Sequence, residues 1–316
     1  MIILGGGYAG LIAACMNRHA IVYEASETIR TTHDAVLRFK TDVVSKATGI
    51  PFKKVLVDKY IYDDRISEFV APNPELNAAY SMKVSGKIHR RSIMGTGLGL
   101  ERYIAPRDFL EQMVKKCESR IVSLAQVEGF NEREILFKDE DGLNRLNIPV
   151  LSTIPMPVVC EWIGLHTFVE WTSRKTYSTV FRIEGADVYN TIYFPFGSSV
   201  YRASMEGDLL KVESTQPIKY FDAWSAFKLN GWMKNNKISG DSEIVKWNTE
   251  TPLGKLAPLK DEAFRRQVIL NLTKDFNIYS LGRFATWRNI QLDDIVNDVN
   301  RINEIVNKDE YDRMRG

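Results

Sequence analysis

Gly5-Gly6-Gly7-Tyr8-Ala9-Gly10, set directly behind the apolar run Ile2-Ile3-Leu4, constrains this chain more than any other feature of its 316 residues. A short run of large apolar side chains suits a strand buried on both faces of a parallel sheet. The segment behind it fits G-x-G-x-x-G, with the motif glycines at 5, 7 and 10. Leu11 to Met16 continues as the small, apolar residues of a helix packed on that sheet. Ala20-Ile21-Val22-Tyr23 reads as a second strand and ends at Glu24, 19 residues beyond Gly5. Each residue type has a physical task. Gly5 permits the tight turn, Gly7 lets backbone approach a pyrophosphate, and Gly10 lets helix and strand pack closely. The helix start, at Tyr8 and Ala9, offers free N–H groups and a partial positive charge. Glu24 is placed to accept ribose hydroxyls, with Ala25 beside it. The pattern predicts dinucleotide binding, on a helix one turn shorter than is common.

The glycine turn alone does not choose between FAD and NAD, and an NAD(P)-dependent dehydrogenase is the competing reading. The other end of the chain repeats the arrangement. Asn277-Ile278-Tyr279-Ser280-Leu281 is strand-like and runs into Gly282-Arg283-Phe284-Ala285-Thr286-Trp287-Arg288-Asn289. From Asp293 to Val306, apolar residues at 295, 296, 299, 302 and 305 have helical spacing. This segment resembles the second flavin-binding motif of UDP-galactopyranose mutases and related amine-oxidase-type flavoproteins. The resemblance implies FAD. It also implies backbone approach at Gly282, a cofactor contact from Arg283, and further contacts over Arg288, Asn289 and onward to Asp293.

A third segment agrees. Val150-Leu151-Ser152-Thr153-Ile154-Pro155 resembles the strand by which such chains return to the flavin domain, which makes Thr153 a cofactor-binding candidate. Before it, Glu134 to Gly142 looks like a hairpin with Asp-Gly at the turn, matching the β-meander crossover of two-dinucleotide flavoproteins. The fold expected is α/β: a Rossmann-like FAD domain from residues 1–50, 100–157 and 250–316, with a substrate domain from 51–99 and 158–249 that contains an antiparallel sheet. One stretch departs from the family. Amine oxidases usually place Gly-Gly and Arg after the ribose-binding acid, and here Ala25 to His33 holds no glycine. Arg30 is the candidate contact there, and His33 follows it.

The rest of the chain is less explicit. Residues 34 to about 105 show no clean periodicity, and Gly95-Thr96-Gly97-Leu98-Gly99 reads as a loop lacking the Gly-Lys-Ser/Thr ending of a P-loop. Pro106-Arg107-Asp108 starts a helix through Cys117. Thr176–Ile183, Val188–Phe194 and Val200–Ser204 read as antiparallel strands of the substrate sheet, with Gly185 and Gly197 at turns. Arg202, inside a strand, requires an anionic partner. Lys255 follows Thr251-Pro252-Leu253-Gly254, the stretch that in the mutase group lies beside the flavin. Arg202, Lys255 and Trp287 are therefore the expected catalytic group, converging on the flavin ring.

Composition excludes several classes. Lys plus Arg is 42 and Asp plus Glu is 40, a net charge of +2 that does not demand a nucleic-acid partner. No stretch is apolar enough for a membrane helix. Met1 to Met16 lacks a basic leader and reads as structure. The three cysteines, Cys15, Cys117 and Cys160, form no CxxC and suggest inert thiols in a reducing, cytoplasmic setting. His19, His33, His89 and His166 have no metal spacing, and no metal is expected. Function then reads as a FAD-dependent oxidoreductase of the amine-oxidase type, oxidising a C–N bond of an amine or amino-acid-like substrate. The alternatives are a mutase-like, redox-neutral flavoenzyme on a nucleotide sugar, with Arg91, Arg202 and Arg283 on its diphosphate, or a non-catalytic flavin-binding protein. The chain also resembles small virus-encoded flavoproteins of DNA base hypermodification. That implies an amino-acid-conjugated thymine as substrate and DNA as a partner, with Lys53-Lys54 and Lys87 to Arg91 as its basic runs.

Overall fold

The computed structural model describes residues 1–29, 36–88, 93, 95–131, 133–139, 142–165, 169–219, 242–257, 259 and 261–315. Three sheets organise them. The first is parallel throughout. Its strands are β1 (Ile2–Leu4), β2 (Ile21–Tyr23), β7 (Ile121–Val122), β11 (Val150–Ser152) and β17 (Ile278–Ser280), in the order β17-β11-β1-β2-β7.

Strand alternation sends this sheet into two different cores. Ile3, Leu151 and Tyr279 face one side, where they meet α1 (Tyr8–Met16), α4 (Phe109–Cys117) and α7 (Leu292–Arg315). Ile2, Leu4, Val150 and Ile278 face the other, against α5 (Met156–Trp162), α6 (Glu262–Phe276) and the second sheet. That second sheet is a meander of β8 (Gln126–Asn131), β9 (Glu134–Asp139) and β10 (Gly142–Leu146). Helix α1 buries Gly10, Leu11, Ile12, Ala13 and Ala14 together, so it is a core helix rather than an amphipathic one. Helix α7 covers it with the stripe Ile295, Val296, Val299, Ile302 and Val306. Where the periodicity expected Ile305 on that stripe, Ile305 is exposed.

The third sheet has nine strands in mixed orientation, ordered β16-β12-β15-β14-β13-β4-β6-β3, with β5 (Glu68–Val70) paired to β4. Its members are β3 (Arg38–Phe39), β4 (Lys53–Asp63), β6 (Gly97–Ile104), β12 (Ser173–Ile183), β13 (Val188–Tyr193), β14 (Val200–Gly207), β15 (Leu209–Ser214) and β16 (Ser242–Leu256). The Gly97–Gly99 segment expected as loop opens β6. The register shifts from Val57↔Leu100 to Lys59↔Gly97, and the Gly99 N–H donates to Asp58 Oδ1 at 2.7 Å. Helices α2 (Val43–Thr48) and α3 (Pro74–Ser85) complete the 34–105 region. Strands β6 and β16 straddle residues 100 and 250, where the sequence suggests the domain joints.

The thiols are less scattered than their spacing implies. Cys15 on α1 and Cys117 on α4 place their Sγ atoms 3.9 Å apart, and Arg120 Nη2 donates to the Cys117 Sγ at 3.4 Å. The hydrogen bond from Cys15, with Arg120 assisting against burial, brings the Cys117 thiol down to about 7. Among the described residues no group of His, Cys, Asp or Glu has the arrangement to hold a metal, and no helix is long and apolar enough to cross a membrane.

Candidate cofactor cleft and charged sheet face

The glycine turn between β1 and α1 has the three environments its sequence implies. Gly5 adopts φ = +94°, and a Cβ there would lie 2.4 Å from Thr153 Oγ1. A Cβ on Gly10 would lie 2.0 Å from the Gly5 carbonyl oxygen, so only glycine lets helix and turn come this close. Gly7 differs: a Cβ there would meet nothing within 4 Å. Gly7 is also the N-cap of α1 and supplies no side chain to its amides. Leu11 N–H donates to the Gly7 carbonyl at 2.9 Å, so Tyr8, Ala9 and Gly10 precede the first intrahelical hydrogen bond. An open, glycine-lined helix start of this kind is an anion cradle.

Glu24 holds the turn from the end of β2. Its Oε2 accepts the Gly6 N–H at 2.7 Å and its Oε1 the Ser26 N–H at 3.0 Å, which leaves further lone pairs for a ribose. Ala25 is exposed beside it. Ile29 packs against Gly6 and, with Leu110, Glu111, Val114, Lys115 and Glu118, lines a cavity of about 350 Å³. Tyr8 stacks on Phe109 with ring centroids 6.2 Å apart. Thr153 has a supporting role: its hydroxyl donates to the Leu4 carbonyl at 2.8 Å and pins β11 to the turn.

The C-terminal turn meets the first. Gly282 repeats φ = +94°, and a Cβ there would come within 3.2 Å of Ala9 Cβ. The two glycine turns therefore abut at the start of α1. Thr286 fixes the second by donating its hydroxyl to the Gly282 carbonyl at 2.6 Å. At the start of α7, Asp293 accepts the N–H groups of Lys40 and Thr41, both at 3.1 Å, tying the cleft to the chain behind β3.

Several sequence-derived candidates in this turn serve other ends. Trp287 is 2% exposed, donates its indole N–H to the Ala257 carbonyl at 3.1 Å and packs on Trp171 and Phe284. It is a core residue with its one polar atom satisfied, and it does not join the charged group. Arg288 pairs with Asp298 at 2.5 Å and clamps α7. Asn289 is exposed. Arg283 donates to the Ile290 carbonyl at 2.9 Å, no carboxylate among the described residues pairs with it, and burial followed by Arg202 lowers its pKa. Arg30, His33, His89, Arg91 and His166 lie outside the described residues.

Arg202 and Lys255 do come together. The β14–β15 register passes from Val200↔Ser214 to Arg202↔Glu213, and this bulge directs both Tyr201 and Arg202 to one carboxylate. Tyr201 Oη donates to Glu213 Oε1 at 3.1 Å, and Arg202 Nε donates to Glu213 Oε2. Burial would raise the Glu213 carboxyl, but Arg202, then Lys211 and Lys255, outweigh it and hold it far below the usual range. Lys255 Nζ stands 5.5 Å from the Tyr201 ring centroid, a cation–π contact. Burial, then the charges of Arg202 and Arg283 working against Glu213, push the Lys255 ammonium down to about 7. Glu213 was not singled out from sequence. The signal was present: Thr191-x-Tyr193, Arg202-x-Ser204-x-Glu206 and Lys211-x-Glu213 alternate polar residues with a deeply apolar set, which marks a buried polar face.

The lowered Lys255 pKa has a measurable sign. The unfolded chain holds a proton on this lysine that the folded chain releases above about pH 7, so its burden on stability is greatest below pH 7. Lys255→Met is expected to stabilise the protein by ~1–3 kcal/mol at pH 6, discounted because solvent reaches part of the side chain. The gain should shrink toward zero by about pH 10.5, the ordinary lysine value. Urea unfolding of both proteins across that range checks it; a gain constant with pH would assign the effect to packing.

No protein-family model matches the chain, and no curated protein matches it in sequence. Solved structures do match it in fold. A reduced UDP-galactopyranose mutase superposes with a TM-score of 0.60 at 14% identity, covering 97% of this chain and 93% of the other. An oxidoreductase from Methanosarcina mazei gives 0.59 at 8% identity over 96% and 99%. A putrescine oxidase double mutant redesigned in cofactor binding gives 0.58 at 10% identity over 96% and 98%. The chain has the fold these proteins share, as an α/β protein with a parallel dinucleotide-type sheet and a large mixed sheet.

Proposed function

We propose that the protein binds FAD and works as a FAD-dependent oxidoreductase of the amine-oxidase type, acting on a C–N bond of an amine or amino-acid-like substrate. The observation that carries this is the meeting of two glycine turns, Gly5 and Gly282, at an α1 start whose Gly7 is open. An NAD-dependent enzyme needs only the first turn. The pyrophosphate fits over Gly7 on the amides of Tyr8, Ala9 and Gly10, and the adenosine ribose fits Glu24. When bound, the flavin supplies the hydride acceptor.

The chain's own residues would prepare that transfer. Lys255, Arg202 and Arg283 make a positive field, which disfavours protonation of a substrate amine and favours negative charge building up beside it. A hydride leaves a carbon next to nitrogen only while the nitrogen lone pair is free. Lys255, lowered to about 7, can take up a proton at Nζ near neutral pH. Glu213 holds Arg202 and Tyr201 in place beneath it. The reading divides the chain as the sequence suggested, with residues 1–50, 100–157 and 250–316 serving the cofactor and 51–99 and 158–249 the substrate.

The mutase-like reading draws support from the same cation excess, which would suit a nucleotide-sugar diphosphate. The narrower reading, DNA as substrate, draws little from the lysines described. Lys53 donates to Tyr189 Oη at 3.0 Å, Lys54 pairs with Glu101 at 2.6 Å, and Lys87 donates to Thr172 Oγ1 at 2.8 Å.

Purified protein saturated with FAD is expected to show a flavin spectrum that amines or amino acids bleach under anaerobic conditions. A spectrum unmoved by those substrates, with turnover of UDP-galactopyranose only after prior reduction, would select the mutase reading. Failure to bind FAD on titration would remove both.

A further inference from the structure

Helices α1 and α4 lie side by side and run the same way. Tyr8 and Phe109 stack at their starts, and Cys15 and Cys117 meet at their ends. The two sulfurs, 3.9 Å apart, are in contact although the residues stand 102 positions apart in the chain. Cys117 is buried, whereas solvent reaches part of Cys15.

Arg120 closes the site. Its Nη1 donates to the carbonyls of Ala14, Asn17 and Ala20, at 3.1, 3.0 and 3.0 Å, and so satisfies oxygens at the open end of α1. Its Nη2 donates to the Cys117 Sγ at 3.4 Å. The Cys15 thiol on one side and this guanidinium on the other favour a thiolate, and the Cys117 thiol comes down to about 7 against its burial. Cys160 is the contrast: burial alone acts on it and pushes its thiol up to about 11.

We propose that Cys15 and Cys117 are a redox modification site, which a peroxide converts into an intramolecular disulfide tying α1 to α4. The pair is built from the two helices and Arg120 alone, so it stands apart from the flavin reading. The peroxide enters beside the half-buried Cys15. The Cys117 thiolate attacks one of its oxygens, the O–O bond breaks, and a sulfenic acid and hydroxide form. The hydroxide takes the Cys15 proton and leaves as water. The Cys15 thiolate then attacks the Cys117 sulfur, the S–O bond breaks, and solvent protonates the second hydroxide. Two electrons pass from the sulfurs to the peroxide, which ends as two waters.

The link would close a long loop. Between Cys15 and Cys117 the chain forms β2, leaves the parallel sheet to build β3 to β6 with α2 and α3, and returns as α4. The disulfide is then a covalent neck at the base of this excursion into the nine-stranded sheet. It also holds the far end of the helix whose start forms the anion cradle.

The test treats purified, reduced protein with a slight excess of hydrogen peroxide at pH 7, with and without FAD. Digestion without reductant and mass spectrometry are expected to find the Cys15 and Cys117 peptides joined and two hydrogens lighter. Cys160 should stay free for alkylation after unfolding. The melting temperature should rise by ~4 °C or more, because closing so long a loop restricts the unfolded chain, and dithiothreitol should reverse the rise. Cys15→Ser keeps a donor to the Cys117 sulfur but removes the resolving thiol. It should lose the joined peptides and the thermal rise, and carry at Cys117 a sulfenic acid that dimedone traps. No joined peptides in the wild type, joining only through Cys160 or between molecules, or a thermal rise that survives in Cys15→Ser would overturn the site. The sulfur chemistry is read without FAD as well, so failure to bind FAD would strike the flavin reading alone.

Discussion

Replacing Gly7 with valine is expected to leave the protein folded and to weaken FAD binding by ~100-fold or more, about 2.7 kcal/mol, the worth of one or two charge-assisted hydrogen bonds. The added side chain meets nothing in the protein itself, so its cost falls on whatever occupies the cradle. Gly10→Val is the contrasting variant. Its Cβ would lie 2.0 Å from the Gly5 carbonyl oxygen, a backbone atom that cannot swing aside. That change is expected to cost ~3 kcal/mol or more of stability before any ligand is added. Melting curves and flavin fluorescence titrations on the two variants separate the outcomes. A Gly7→Val protein that binds FAD like the wild type would place the pyrophosphate elsewhere.

The second large effect concerns Glu213. Glu213→Ala is expected to destabilise the protein by ~3–5 kcal/mol, because it leaves the half-buried Arg202 among Lys211, Lys255 and Arg283 without its carboxylate partner. The pH dependence has a definite sign. The folded carboxyl titrates below the unfolded one, so its contribution is complete above the ordinary glutamate value of 4.5 and is lost as the pH falls below it. Urea unfolding at pH 7 and pH 3 should therefore show the gap between wild type and variant narrowing in acid. A gap that persists unchanged would assign the loss to the cavity left by the side chain.

Much of the parallel sheet was legible because its code is simple. Ile2-Ile3-Leu4, Val150-Leu151 and Ile278-Tyr279 are buried on both faces, and glycines stand where the chain must turn sharply. Where β4 joins it, the charged sheet face was not legible, for a physical reason. Val55 and Val57 point inward with Lys59, while Leu56 is 65% exposed. The polar interior inverts the usual rule, and an alternation of Val, Leu and Lys then carries no period to read. Arg202 illustrates a different limit: its need for an anion was evident, but the partner depended on a bulge at Tyr201. Trp287 shows a third. Its place in the cofactor-side turn was inferable, while its burial against Trp171 and Phe284, on a left-handed backbone that tryptophan rarely adopts, was not.

The parallel sheet also sets an order of assembly during synthesis. Residue 2 pairs with residue 150, and residue 150 pairs with residue 278. A ribosome adding 5–20 residues per second leaves roughly 6–25 s between emergence of β11 and of β17. Through that interval the edge of β11 waits without its neighbour, and the start of α1 lacks the turn at Gly282 that later rests on Ala9. Such long-range closure makes for slow maturation and exposes apolar strand edges to chaperones or to aggregation. A chain interrupted before residue 282 would carry the whole glycine motif at its beginning and still lack the second half of the cleft.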